Sequence, residues 1–111
     1  MIEKIVLDWL SNCLQVPCRM EEETGLPDAH VIIEKTGTSE ENLIYSATFA
    51  IQSYGKTLLE AAELNDHVKK AMDDLVEHPE VTRSKLNSDY NYTDTARKKY
   101  RYQCVYDIKH Y

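Results

Sequence analysis

Hydrophobic residues recur every three or four positions in two segments of the chain, and this spacing predicts two amphipathic helices. The longer helix is predicted over Lys56–Glu77, where charged residues occupy the side opposite the stripe. The stripe consists of Leu58, Ala61, Ala62, Asn65, Val68, Ala71, Met72, Leu75 and Val76. Gly55 precedes the helix, and His78–Pro79 ends it, because proline disfavours helical conformation in the residue ahead of it. We expect five of these side chains to pack on the sheet: Leu58, Ala62, Val68, Met72 and Leu75.

The shorter helix is predicted over Ile2–Leu14, since its apolar positions also fall on one side. They are Ile2, Ile5, Val6, Trp9, Leu10 and Cys13. Pro17 prevents this helix from continuing far beyond Gln15, because proline has no backbone N–H to donate.

Outside the helices the hydrophobic period changes to two, which is typical of β-strands. The predicted strands are Val16–Met20, His30–Lys35, Leu43–Tyr54, Val81–Tyr92 and Tyr100–Tyr111. Polar segments separate them at Glu21–Asp28, Thr36–Asn42 and Thr93–Lys98. Thr36–Asn42 is predicted to be a hairpin loop in which Gly37 can adopt a positive φ. In the last strand, one face is predicted to carry Tyr100, Tyr102, Cys104, Tyr106 and Ile108.

This order of elements, α-β-β-β-α-β-β, predicts an α+β fold. Strands joined by short loops favour a mostly antiparallel sheet with both helices packed on one face. The 111 residues contain no repeat and no linker, so we expect one domain over residues 1–111. A chain of this length buries roughly two-thirds of its unfolded surface.

The charge balance narrows the choice of partners. The net charge is −6, whereas a general nucleic-acid or anionic-membrane binder needs a basic face. No apolar run reaches the length of a membrane span. The N-terminal segment has no signal-peptide pattern, so we expect the chain to be intracellular where it is made.

The residues that usually carry chemistry are scattered. Cys13, Cys18 and Cys104 are odd in number and lack the spacing of zinc ligands, so we expect buried free thiols and no metal site. The four histidines fall in four different elements. With only three glycines and no nucleophile elbow, the sequence predicts neither a phosphate loop nor catalysis. We therefore expect no enzyme activity and no cofactor.

Aromatic and basic residues crowd the last two strands. The tyrosines are Tyr90, Tyr92, Tyr100, Tyr102, Tyr106 and Tyr111, and the basic residues are Arg97, Lys98, Lys99 and Arg101. Such a combination can form a stacking platform for single-stranded nucleic acid. It is also typical of cross-strand aromatic pairs beside a basic loop, or of a protein–protein interface. The acidic composition favours the last two interpretations.

Three segments resemble one protein family. Ala47–Leu75, Lys85–Tyr111, and the opening helix followed by Val31–Gly37 are similar to the tail-terminator, or tail-completion, proteins of long-tailed phages and prophages of Gram-positive bacteria. The resemblance implies an α+β subunit of a ring, usually a hexamer, at the head-proximal end of the tail tube. Its implied partners are further copies of itself, the major tail protein and the head connector. Its implied location is the virion tail, after assembly in the host cytoplasm.

A ring subunit needs two different contact surfaces, because head-to-tail rotation joins unlike patches. The sequence offers an acidic and a basic segment for this purpose. The expected interface residues are Glu40, Glu41, Arg97, Lys98, Lys99, Tyr100, Arg101 and Tyr102. No membrane and no specific nucleic acid is expected as a partner. Two alternatives remain: a head–tail connector component (an adaptor or stopper), and a small nucleic-acid-binding module that uses the tyrosine-rich hairpin.

Overall fold

The computed structural model describes residues 1–111. The helices are α1 (Ile2–Cys13), α2 (Leu58–Asp73) and a 3₁₀ helix that continues from α2 (Asp74–Glu77). The strands are β1 (Cys18–Arg19), β2 (His30–Glu41), β3 (Ile44–Gly55), β4 (Val81–Asn91) and β5 (Tyr100–His110). Neither α1 nor α2 is long and apolar enough to cross a membrane.

The five strands form one sheet in the order β1-β2-β3-β5-β4. Only the short β1 runs parallel to its neighbour, and the other three pairings are antiparallel. The last strand, β5, therefore lies between β3 and β4, with Ile51 opposite Cys104 and Gln52 opposite Gln103. This architecture confirms the predicted α+β fold.

Both helices pack against the same face of the sheet, as predicted, and a cluster of 18 buried residues fills the space between the layers. The sheet contributes alternate residues of its central strands, which is the pattern of a strand with one buried face. On β5 these are Cys104, Tyr106 and Ile108, and all three are buried. Trp9 of α1 links the two helices, because its indole Nε1 donates to the carbonyl oxygen of Ala71 in α2 over 2.8 Å.

The prediction for α2 was correct in position and partly wrong in its buried face. The helix begins after Thr57, whose hydroxyl accepts a hydrogen bond from the Glu60 backbone over 3.1 Å. Leu58 in the first turn is 38% exposed, because it lies at the end of the helix. Ala62 is only half-buried and lies beside the contact face. The face that contacts the core consists of Ala61, Leu64, Asn65, Val68, Ala71 and Met72, followed by Leu75 of the 3₁₀ helix.

The segment Thr36–Asn42 is not the predicted loop. β2 continues to Glu41 with an irregularity between Lys35 and Gly37, and the reversal consists only of Asn42 and Leu43. Gly37 does not have a positive φ, whereas Asn42 and Leu43 have φ values of 53° and 66°. The polar residues here still form a strand because β3, itself paired with β5, supplies partners for their backbone groups.

Gly55 is required where β3 passes into α2. A Cβ atom at this position would lie 2.5 Å from the backbone nitrogen of Ala61 and 2.9 Å from the carbonyl carbon of Glu60. The first turn of α2 therefore packs directly on the end of β3, which a side chain would prevent.

Candidate interaction surfaces

The expected interface residues lie at opposite ends of the sheet. Tyr45 pairs with His110, and Gly55 pairs with Tyr100, so the β2–β3 reversal and the β4–β5 connection cap opposite ends of β3. A strand of this length spans about 40 Å, close to the longest extent of the molecule, 44 Å. The acidic and basic residues of one chain therefore cannot meet, and contact between them requires two copies.

We call residues Glu40–Leu43 the hairpin tip. Two residues with positive φ match a type I′ turn, whose twist suits the flanking strands. Asparagine tolerates this conformation, but leucine does so at a cost of about 1–2 kcal/mol. Leu43 is nevertheless 79% exposed, so packing within the chain does not compensate for the strain. Glu40 and Glu41 are also exposed, and neither forms an ion pair within the chain.

We call Arg97–Lys99 the basic turn. Asp94 shapes it, because its carboxylate accepts a hydrogen bond from the Arg97 backbone over 3.2 Å and its backbone pairs with that of Lys99. All three basic side chains are exposed. They line a cleft of about 410 Å³ together with Glu22, Glu23 and Asp28, which belong to residues 21–28, here called the acidic loop. The chain's own acidic loop thus partly balances the charge of the basic turn.

Arg101 is held within its own chain. Its Nε donates to the Tyr92 carbonyl oxygen over 2.7 Å, and its Nη1 donates to the Tyr54 hydroxyl over 3.0 Å. The guanidinium carbon also lies 4.5 Å from the centre of the Tyr92 ring, within the range of a cation–π contact. Arg101 therefore orders the start of β5 and offers little to a partner. Its neighbours Tyr100 and Tyr102 are half-buried.

A buried histidine ties the acidic loop to the sheet. The His30 ring stacks on the Tyr54 ring with 4.3 Å between centroids. Its Nδ1 lies 2.7 Å from the Pro27 carbonyl oxygen, and its Nε2 lies 2.7 Å from a carboxylate oxygen of Glu22. Burial raises the pKa of the Tyr54 hydroxyl above its ordinary value, although Arg101 partly opposes this. This network could not be predicted from the sequence, because Tyr54 and Arg101 are far along the chain from His30.

The face of the sheet that no helix covers is polar. Across it, the Gln52 side-chain amide donates to Gln103, and Gln103 donates to the Tyr90 hydroxyl. Both glutamines are buried, and Tyr90 is 42% exposed. Because these side chains satisfy one another's hydrogen-bonding groups, the helix-free face is already an ordered polar surface in the free chain.

The C-terminal tyrosines do not share one surface. Tyr90 and Tyr92 meet edge to face on the helix-free side, with 6.0 Å between ring centroids. Tyr106 is fully buried on the helix side, and its hydroxyl lies 2.7 Å from Asp73 Oδ1. Burial and the nearby Asp73 carboxylate raise the pKa of the Tyr106 hydroxyl well above its ordinary value. A continuous stacking platform would need the rings on one side.

A second cluster of polar side chains joins α2 to β4. Asp89 accepts hydrogen bonds from the Asn65 side-chain amide and from Lys69 Nζ, each over 2.6 Å. Hydrogen bonding to Asp89 raises the pKa of Lys69. Asn65 was placed correctly on the buried stripe, but its partner on β4 could not be predicted from helical spacing.

The three cysteines are free, and two of them are buried, as predicted. Burial raises the pKa of Cys18 to about 11 and that of Cys104 to about 12, which disfavours the reactive thiolate. The prediction was wrong for Cys13, which is exposed because α1 ends there and the chain turns away in extended conformation at Leu14.

Cys13 lies at the edge of a groove between the two helices, which we call the α1–α2 groove. It has a volume of about 590 Å³. Leu14, Val16 and Leu64 supply apolar lining, and Lys70 and Asp74 stand at its edge with opposite charges. Lys70 forms no ion pair within the chain. This groove could not be predicted from the sequence, because it depends on how the helices pack.

No group of three or more His, Cys, Asp or Glu side chains is placed to hold a metal ion. The sequence matches no protein-family model and no curated protein.

Proposed function

We propose that this chain is a structural subunit of a phage or prophage tail, a tail terminator or tail-completion protein that forms a ring at the head-proximal end of the tail tube. One observation carries the proposal: exposed acidic and basic segments lie at opposite ends of a single sheet. A ring subunit at a junction needs unlike surfaces for its own copies and for its neighbours, and ends of opposite charge supply two such surfaces.

Two further points support this role. The α+β fold agrees with the α+β subunit that the resemblance of Ala47–Leu75 and Lys85–Tyr111 implies. A net charge of −6 also suits a conduit through which DNA passes without binding. The subunit would contact its own copies in the ring, most often six, together with the major tail protein and the head connector. It needs no cofactor for this role.

The nucleic-acid alternative has less support. Arg101 is engaged by Tyr54 and Tyr92, and the tyrosines divide between two faces. A stacking platform would need free arginines and exposed rings along one surface. A head–tail connector component would also use the acidic and basic ends of the sheet. The position of the protein in the phage particle distinguishes a connector from a terminator.

A capping assay tests the proposal. Tail tubes are assembled from the major tail protein of the phage or prophage that carries this gene, with and without the chain, and their lengths are measured by electron microscopy. We expect the wild type to stop tube growth and to appear at one end. The Lys98→Glu, Lys99→Glu double variant should cap poorly, because it reverses the charge of the basic turn.

The matched control is the Arg83→Glu, Lys85→Glu double variant, which changes net charge equally on the exposed edge strand β4. It should cap normally. Unlimited tube growth in the presence of the wild type would refute a terminator function. Micromolar binding of the wild type to single-stranded DNA at physiological salt, together with failure to cap, would favour the nucleic-acid module.

A further inference from the structure

The hairpin tip combines two unfavourable features that the chain itself does not compensate. Leu43 has the left-handed backbone conformation that favours glycine, with φ of 66°, and its side chain is 79% exposed. Glycine after Asn42 would relieve the strain and remove the apolar surface. Backbone strain at an exposed position points to a role in contact with another molecule.

The α1–α2 groove has the complementary properties. Leu14, Val16 and Leu64 offer apolar surface to a side chain such as leucine, and its volume of about 590 Å³ exceeds that of a single residue. Lys70 at its edge has no partner within its own chain, and neither do Glu40 and Glu41 at the hairpin tip.

We propose that the hairpin tip of one copy docks in the α1–α2 groove of a second copy. Leu43 enters the apolar part, and Glu40 or Glu41 pairs with Lys70. The inference rests on the proposed ring and specifies its contact. It replaces the expected pairing of Glu40 and Glu41 with the basic turn, which is then free to contact the tail tube or the connector.

The positions of the two surfaces favour a head-to-tail assembly of many copies over a symmetric dimer. The tip lies at one end of the sheet, and the groove lies in the helical layer. Each copy therefore has one tip and one groove on different sides, as a head-to-tail ring requires.

The groove carries its own chemical probe, because Cys13 lies at its edge and is exposed. In the Leu43→Cys variant, the new thiol at the tip of one copy would lie beside Cys13 of the next. We expect mild oxidation to give covalent dimers, trimers and longer species on a non-reducing gel. Cys18 and Cys104 are buried and should not take part.

Two variants serve as controls for the crosslink. Adding Cys13→Ser to Leu43→Cys should abolish the ladder. In that same background, Ala96→Cys beside the basic turn should give no crosslink to the tip. A ladder that survives Cys13→Ser, or that forms through Ala96→Cys, would overturn the docking in favour of tip-to-tip or tip-to-turn contact.

Sedimentation equilibrium, on proteins that keep their three native cysteines and carry no crosslink, provides an independent measurement of self-association. Leu43→Ser should weaken self-association by at least about tenfold, since it removes one buried leucine from the contact. Leu59→Ser is the matched control, because Leu59 is also 68% exposed but lies outside the groove, and it should leave the Kd unchanged. Equal effects of the two variants would overturn the assignment of the tip.

The outcomes separate this inference from the proposed function. A wild type that stays monomeric at all concentrations, together with a Leu43→Cys variant that gives no crosslink, would overturn self-docking, while normal tube capping would leave the terminator function standing. A ladder through Cys13 that stops at dimers would support the docking and contradict a ring.

Discussion

Removal of a single hydroxyl tests how the helical layer is fixed to the sheet. Tyr106 is fully buried on β5, and its hydroxyl lies 2.7 Å from Asp73 Oδ1 and 3.0 Å from the Lys69 carbonyl oxygen. The shorter distance identifies Asp73 as the group that accepts the hydrogen bond from the Tyr106 hydroxyl. Tyr106→Phe keeps the ring and its packing, so the variant removes this contact without opening a large cavity.

The expected loss follows from the setting of the two groups. A hydrogen bond to a charged group contributes about 1.5–3 kcal/mol. Asp73 is exposed, so water can take the place of the hydroxyl on the carboxylate, which reduces the loss. We expect Tyr106→Phe to lower the free energy of unfolding by about 1–2 kcal/mol, which corresponds to a fall in Tm of about 4–8 °C.

Urea denaturation of four proteins measures the contribution of the pair. They are the wild type, Tyr106→Phe, Asp73→Asn and the double variant, and their cycle should give a coupling energy above about 0.5 kcal/mol. Tyr102→Phe is the control, because the Tyr102 hydroxyl has no partner in the structure, and it should change stability by less than about 0.5 kcal/mol. A Tyr106→Phe variant as stable as this control, or a coupling energy near zero, would refute the assignment.

Three further outcomes are expected. Leu75→Ala should lower the free energy of unfolding by about 2–5 kcal/mol, because Leu75 is fully buried, and an unchanged urea midpoint would contradict this. Gly55→Ala should destabilise by about 1–3 kcal/mol through contact with α2, whereas a more stable variant in the same assay would show that the junction can move. The hydrogen bond with Lys35, at 2.8 Å, lowers the pKa of Glu3, so its stabilisation is present above pH 4.5 and is lost as the pH falls through the lowered value. Glu3→Gln should therefore lose less stability than the wild type between pH 7 and 3, and equal losses would argue against the pair.

Elements with one buried and one solvated side could be predicted from the sequence. β5 is an example, since its alternating apolar residues were assigned to the correct face. The register of α2 was harder to predict, because Leu58 is as hydrophobic as Leu64 and differs only in lying at the end of the helix. Hydrophobicity alone does not report where a helix stops contacting its sheet.

The candidate surfaces were only partly predictable. Exposed charge at Glu40 and Lys98 follows from composition, but the strand around Glu40 has both faces in water and lacks the alternation that identifies a strand. The contacts of Tyr54 with His30 and Arg101, and the α1–α2 groove, join residues distant along the chain. Such contacts depend on strand order, which local patterns do not encode.

The position of β5 between β3 and β4 has a consequence for synthesis. β5 is the only partner of β4 in the sheet and the second neighbour of β3, but it is translated after both of them. Until β5 leaves the ribosome, the nascent chain exposes the unpaired edges of β3 and β4. Unpaired edges of this kind are prone to aggregate. β1, β2 and β3 can pair in the order in which they are made, but the sheet is completed only when the last strand arrives.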